Sequence, residues 1–248
     1  MRPRRRWRVA TLLACGLASG AAAAAPADYI FSPVVERGER EIDSKAGIAR
    51  DREGRSAWGG KLGIEYGLTA WWASEATLNF GREAGANPRL DSLEWENRFQ
   101  FTTTAERPYE IGLLFEVERE GRSADGLELR TGPLLQAHWR SWQGNFNLLF
   151  ERRMRTEGSP PTELGYQWQL RRHREGRLEW GWQGFGQLGP WDRWAKRGEQ
   201  SHVLGPAVFV RLDADGNHEH AHVEAALLVG TGGAAPRATL RLQALVPF

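Results

Sequence analysis

A hydrophobic alternation of period two recurs along almost the whole of this chain and limits what it can fold into. Between Leu93 and Phe101 the odd positions are Leu93, Trp95, Asn97, Phe99 and Phe101, and the even ones are Glu94, Glu96, Arg98 and Gln100. From Leu164 to Arg171 the split is complete, with Leu164, Tyr166, Trp168 and Leu170 against Gly165, Gln167, Gln169 and Arg171. Ile111, Leu113, Phe115 and Val117 alternate in the same way with Glu110, Gly112, Glu116 and Glu118. Successive side chains of an extended strand point to opposite faces, so these segments are strands with one apolar and one polar side. Helical periodicity is nowhere convincing. The pattern predicts twelve strands, near residues 40–50, 56–67, 70–82, 91–103, 109–120, 127–140, 142–153, 163–173, 177–188, 201–212, 218–230 and 237–248.

Amphipathic strands also build soluble sandwiches, so the alternation needs support from other features. The strands run to about 10–13 residues, the length of a tilted membrane-spanning strand and well above the globular norm. Their connections alternate in length. Short turns at Gly67–Thr69, Thr104–Pro108 and Arg140–Ser141 are interleaved with longer polar links at Glu83–Leu90, Glu120–Gly126, Met154–Thr162 and Gly189–Gln200. Membrane barrels show this asymmetry, with short periplasmic turns and longer outer loops. The last strand carries Leu240, Leu242, Ala244, Val246 and Phe248 on its apolar side, and a terminal Phe of this kind resembles the signal read by the barrel-assembly machinery. Trp71, Trp72, Trp139 and Trp142 fall beside the short turns, as an interfacial aromatic girdle would. The expected fold is therefore an all-β, antiparallel up-and-down transmembrane barrel of about twelve strands. Both ends of the chain would then be periplasmic, and roughly ten or fourteen strands would satisfy the same parity.

This reading reconciles the twelve Trp and ten Phe with a mean hydropathy of −0.54, because only every second strand residue has to face lipid. The first residues stand apart. Arg2, Arg4, Arg5, Arg6 and Arg8 precede a short apolar stretch, Val9–Ala18, and a run of alanines ending at Ala25, which together read as a secretory signal peptide over residues 1–25. Leu12-Leu13-Ala14-Cys15 loosely resembles a lipobox, which would instead acylate Cys15. The full chain has 33 Lys+Arg against 31 Asp+Glu, but those five arginines lie in the leader, so the remainder is net acidic and offers nothing to nucleic acid. Cys15 is the one cysteine, which removes disulfide and thiolate-metal readings of the remainder. Residues 26–39 contain Pro33 and read as an irregular periplasmic N-terminal arm, or as a segment folded into the mouth; residues 40–248 form the barrel.

Phe31-Ser-Pro-Val-Val-Glu-Arg-Gly-Glu-Arg-Glu-Ile42, Glu94-Trp-Glu-Asn97 and Gly165-Tyr-Gln-Trp168 resemble an uncharacterised group of proteobacterial exported outer-membrane β-barrel proteins. The resemblance covers most of the chain after the leader. It implies an outer-membrane location in a Gram-negative cell and no particular activity.

The polar strand face is the main chemical feature. By parity it holds Lys61, Glu65, Glu75, Glu94, Glu96, Arg98, Glu110, Glu116, Glu118, Glu128, Arg130, Glu151, Arg171, Glu179, Arg211, Glu224 and Arg241, so acids outnumber bases in the expected lumen lining. Long side chains from opposite walls of a small barrel can meet. They would either pair and fill the lumen, giving a structural barrel, or leave a narrow, porin-like diffusion path that leans toward cations. His218, His220 and His222 share one strand face and are the weak candidates for a metal. An outer-leaflet hydrolase, either a lipid-modifying enzyme or a protease, is the different-class alternative, with Asp192 and His202 near the longest link as its acid–base pair. Ser201 and His202 are neighbours on a strand and so face opposite ways. Gly132-Pro133 and Gly205-Pro206 suggest bulges, and the glycines of Gly181–Gly189 read as lumen-facing positions and turns. No catalytic residue and no cofactor are assigned. The expected partners are outer-membrane lipid and lipopolysaccharide, the assembly machinery through Phe248, and small ions or solutes.

Overall fold

The computed structural model describes residues 26–82, 89–102, 107–121, 126–155, 160–213 and 220–248, so the signal-peptide reading of residues 1–25 lies outside it. The strands are β1 (Arg40–Arg50), β2 (Ser56–Gly67), β3 (Trp72–Arg82), β4 (Arg89–Gln100), β5 (Tyr109–Glu120), β6 (Leu127–Trp139), β7 (Trp142–Met154), β8 (Glu163–Arg172), β9 (Leu178–Pro190), β10 (Ser201–Asp213), β11 (His220–Gly230) and β12 (Ala238–Pro247). Each pairs antiparallel with its sequence neighbours, and β1 pairs with β12 from Glu41↔Pro247 to Arg50↔Ala238, which closes the barrel. No sheet edge is left unpaired, as a strand structure in hydrocarbon requires.

Burial follows the sequence period. Ile42, Leu62, Ile64, Leu78, Leu93, Trp95, Leu227, Leu240 and Leu242 lie exposed on the outside, while Asp43, Lys45, Glu65, Glu75, Glu94, Glu96 and Glu116 are buried inside. A closed barrel with an apolar exterior and a charged interior is built to span a membrane. Two polar exceptions on the outer side accept hydrogen bonds from tryptophan. Asn97 accepts a hydrogen bond from the Trp72 indole at 3.0 Å, and Ser74 accepts one from the Trp95 indole at 2.9 Å.

Aromatic side chains gather at both rims. At the rim where β1 begins and β12 ends, Trp71, Trp72 and Phe99 pack together, with ring centroids about 6.2–6.4 Å apart, and Trp142 meets Trp180 edge-on at 5.7 Å. At the other rim Trp191 packs on Phe150 at 6.3 Å.

Two local expectations are corrected. Gly132-Pro133 and Gly205-Pro206 are not bulges, because the register is the same on either side of each pair and only the ladder opens there. Proline lacks the N–H a ladder bond needs, and the bare glycine lets the carbonyl of Leu148 or Leu227 come close. The register shifts instead at Asn79/Phe80 and Leu164/Gly165. Gly184 and Gly186 do not line the lumen either. They lie on the outer face beneath Trp168 and Tyr166, whose rings fill the space a Cβ would take.

Candidate functional site

Strand register brings the inward carboxylates together. Glu41 is opposite Glu65, Glu65 opposite Glu75, Glu75 opposite Glu96, and Glu96 opposite Glu116. Glu116 then faces Arg130, and Arg130 faces Glu151. Like charges directly opposite one another are destabilising, and cations from flanking levels offset the row. Lys45 sits 2.7 Å from Asp43 and 3.6 Å from Glu75, and Lys61 sits 2.7 Å from Glu94. Arg98 bonds to Glu65 and lies 3.2 Å from Glu96. Arg130 reaches Glu116, Glu128 and Glu151 at 3.2, 3.5 and 3.4 Å. Glu94, Glu116 and Glu118 converge closely enough to surround a cation, but Lys61 and Arg130 already occupy their neighbourhood. On the far side Arg171 pairs with Glu179, and Arg241 with Glu224 at 3.1 Å.

The remaining wall is built differently. Asn145, Asn147, Gln136, Gln167, Gln169 and Gln183 are buried amides, and two apolar patches interrupt the polar lining. One consists of Leu114, Leu134 and Leu149 from β5, β6 and β7; the other includes Phe185, Val203, Phe209 and Leu228 from β9, β10 and β11.

These patches have a partner. Residues 26–35 lie inside the barrel and residues 36–38 are exposed at its mouth, so of the two expectations the segment folds inward and is not a periplasmic arm. The segment alternates like a strand, with Ala27, Tyr29, Phe31, Pro33 and Val35 all buried, and Phe31 is only 2 % exposed against the leucine patch. Tyr29 donates to Glu96, and the Lys45 ammonium sits over its ring, 3.2 Å from the centroid. Arg98 donates to the carbonyls of Ser32 at 2.9 Å and Val34 at 3.3 Å. The amide of Asn147 donates to the Phe31 carbonyl at 3.0 Å, and Gln100 accepts from the Val35 N–H at 2.9 Å. Gly47 and Gly67 are places of close approach, since a Cβ there would collide with the carbonyl of Pro26 or of Glu36.

Two cavities flank the segment and share no lining residue. The larger, of about 450 Å³, lies toward the rim where β1 begins and is lined by Glu36, Glu41, Asp43, Glu65, Arg98, Gln136, Arg171 and His222, among others. The smaller, of about 300 Å³, lies toward the opposite rim and reaches Asp28, Lys61, Asn79, Glu118 and Arg130.

Of the expected lining residues, Glu65, Glu75, Glu94, Glu96, Glu116, Glu128, Glu179 and Arg241 are buried on the inner side, and Arg98, Glu118, Arg130, Glu151, Arg171 and Glu224 are partly so. Arg211 differs. It is exposed near the end of β10 and donates to the Gly176 carbonyl at 3.1 Å. His218 lies outside the described residues, His220 is exposed, and His222 lines the larger cavity. Asp192 is exposed, whereas both ring nitrogens of His202 are engaged, by Tyr166 and Gln200, each at 2.9 Å. The leucine patch was missed by parity alone. Its signal is a doublet on three strands, Leu113-Leu114, Leu134-Leu135 and Leu148-Leu149, each of which puts an apolar residue where the polar face should be.

The chain matches no protein-family model and no curated protein sequence. Its fold is similar to solved structures. An outer membrane channel from Pseudomonas putida F1 aligns with a TM-score of 0.63 at 10 % identity, over 89 % of this chain and 98 % of that one. The NanC porin aligns with a TM-score of 0.54 at 10 % identity, over 84 % of this chain and 98 % of its own. At this identity the likeness is one of fold, and the fold is the closed antiparallel barrel of outer-membrane channels.

Proposed function

We propose that this chain is an outer-membrane barrel whose lumen is filled by its own N-terminal segment and by the ion pairs around it, so that it passes at most small solutes, cations before anions. The single observation that carries the reading is the burial of residues 27–35 between the carboxylate-bearing wall and the leucine patch. Acids outnumber bases around the segment, and carboxylate rings favour cations, which supports the charge preference. Planar-bilayer recording tests it. The full chain without its leader is expected to give small, cation-leaning steps or none, and deletion of residues 27–37 is expected to enlarge the steps several-fold. Large steps from the full chain that the deletion leaves unchanged would refute the filled lumen. Anion-preferring steps would refute the charge reading.

A further inference from the structure

The rim at which β1 begins and β12 ends carries an arrangement that the lumen does not use. The turn at Arg140–Ser141 joins Trp139 to Trp142, which face each other across β6 and β7. The Arg140 guanidinium lies over the Trp139 ring, 5.6 Å from its centroid, and Arg172 of β8 lies over the Trp142 ring at 5.4 Å. Trp139 is 67 % exposed on the outer face, and both arginines are exposed. The motif recurs along the same rim, with Arg40 over Tyr66 at 5.4 Å and Arg107 over Tyr109 at 5.7 Å.

Arg140 has a φ of 54°. Tight hairpin turns prefer Gly, Asn or Asp in this left-handed region, and other residues occupy it at a cost. An arginine here therefore costs the turn something that its side chain must repay elsewhere. A guanidinium stacked on a ring keeps edge N–H donors free in a planar fork that matches phosphate oxygens, while the ring holds it at headgroup level.

We infer that this rim binds the phosphodiester headgroups of anionic phospholipid, with the Trp139–Trp142 hairpin and Arg172 as its strongest site. Phospholipid is favoured over lipid A because this rim bears the tightest turn, Arg140–Ser141, whereas the long link over residues 191–200 lies at the other rim. Short turns of such barrels face the periplasm, where the adjoining leaflet is phospholipid. The inference assumes a membrane-embedded barrel and does not depend on whether the lumen conducts.

Native mass spectrometry of the detergent-purified full chain without its leader, offered equimolar phosphatidylglycerol, phosphatidylcholine and lipid A, tests it. Phosphatidylglycerol adducts are expected to dominate, and Arg140→Asn or Arg172→Gln should each lower that preference roughly fivefold. Asparagine tolerates the left-handed turn, so Arg140→Asn should fold with an undiminished unfolding midpoint. Equal retention of the three lipids, or a preference that survives both substitutions together, would overturn the proposal. Dominant lipid A adducts that disappear in the same variants would overturn the assignment to the phospholipid leaflet.

Discussion

The two flanks of the lumen hold the same N-terminal segment by different means. On the β1–β4 side Tyr29 and the carbonyls of Ser32 and Val34 meet charge: Lys45, Glu96 and Arg98. On the β5–β7 side Phe31 meets hydrocarbon, namely Leu114, Leu134 and Leu149. The first flank depends on balanced pairing, because a buried charge that loses its partner is costly. The second depends on packed volume and is indifferent to ionic balance. One segment read by both gains a fixed register, since sliding it by one residue would turn Phe31 toward the cavity and Ser32 toward the leucines.

The sharpest way to break this contrast is at Arg98. Arg98→Leu leaves Glu65 and Glu96 short of a counter-charge and frees two carbonyls of the segment, so a loss of about 3–5 kcal/mol is expected in reversible urea unfolding. On the other flank Leu134→Ala, at a site with no exposure, should cost about 3 kcal/mol. That loss should barely change with salt. Gly47→Ala sharpens the comparison further. Its Cβ would strike Pro26, so about 1–3 kcal/mol of overpacking is expected with the segment in place and almost none after residues 26–38 are deleted. The smallest effect lies on the lipid side. Trp95→Phe removes the hydrogen bond to Ser74 and should cost about 1 kcal/mol without altering conductance.

The barrel was legible in the sequence because each strand carries its own record of burial. The alternation from Leu93 to Phe99 needs no knowledge of its neighbours to be read as a two-faced strand. The row from Glu41 through Glu65, Glu75 and Glu96 to Glu116 was not legible, since it exists only once register sets five strands side by side. The segment over residues 26–39 failed for a related reason. Ala27, Tyr29, Phe31, Pro33 and Val35 do alternate, but Pro33 and the absence of a ladder partner made the stretch look irregular. Its partners are single residues scattered over separate strands, among them Lys45, Glu96, Arg98 and the three leucines Leu114, Leu134 and Leu149. Arg211 has inward parity and pairs in register with His222, yet it is exposed, and parity carries no information about depth.

Cysteine labelling of the chain from residue 26 onward tests the central claim most directly, because Cys15 is the one natural cysteine and precedes that stretch. Phe31→Cys and Arg37→Cys would be compared for their rate of reaction with a bulky, membrane-impermeant maleimide in the folded, detergent-solubilised barrel. An occupied lumen predicts that position 37, which is exposed, labels rapidly, while position 31 is protected until the barrel is unfolded. Equal labelling rates at the two positions in the folded state would contradict it.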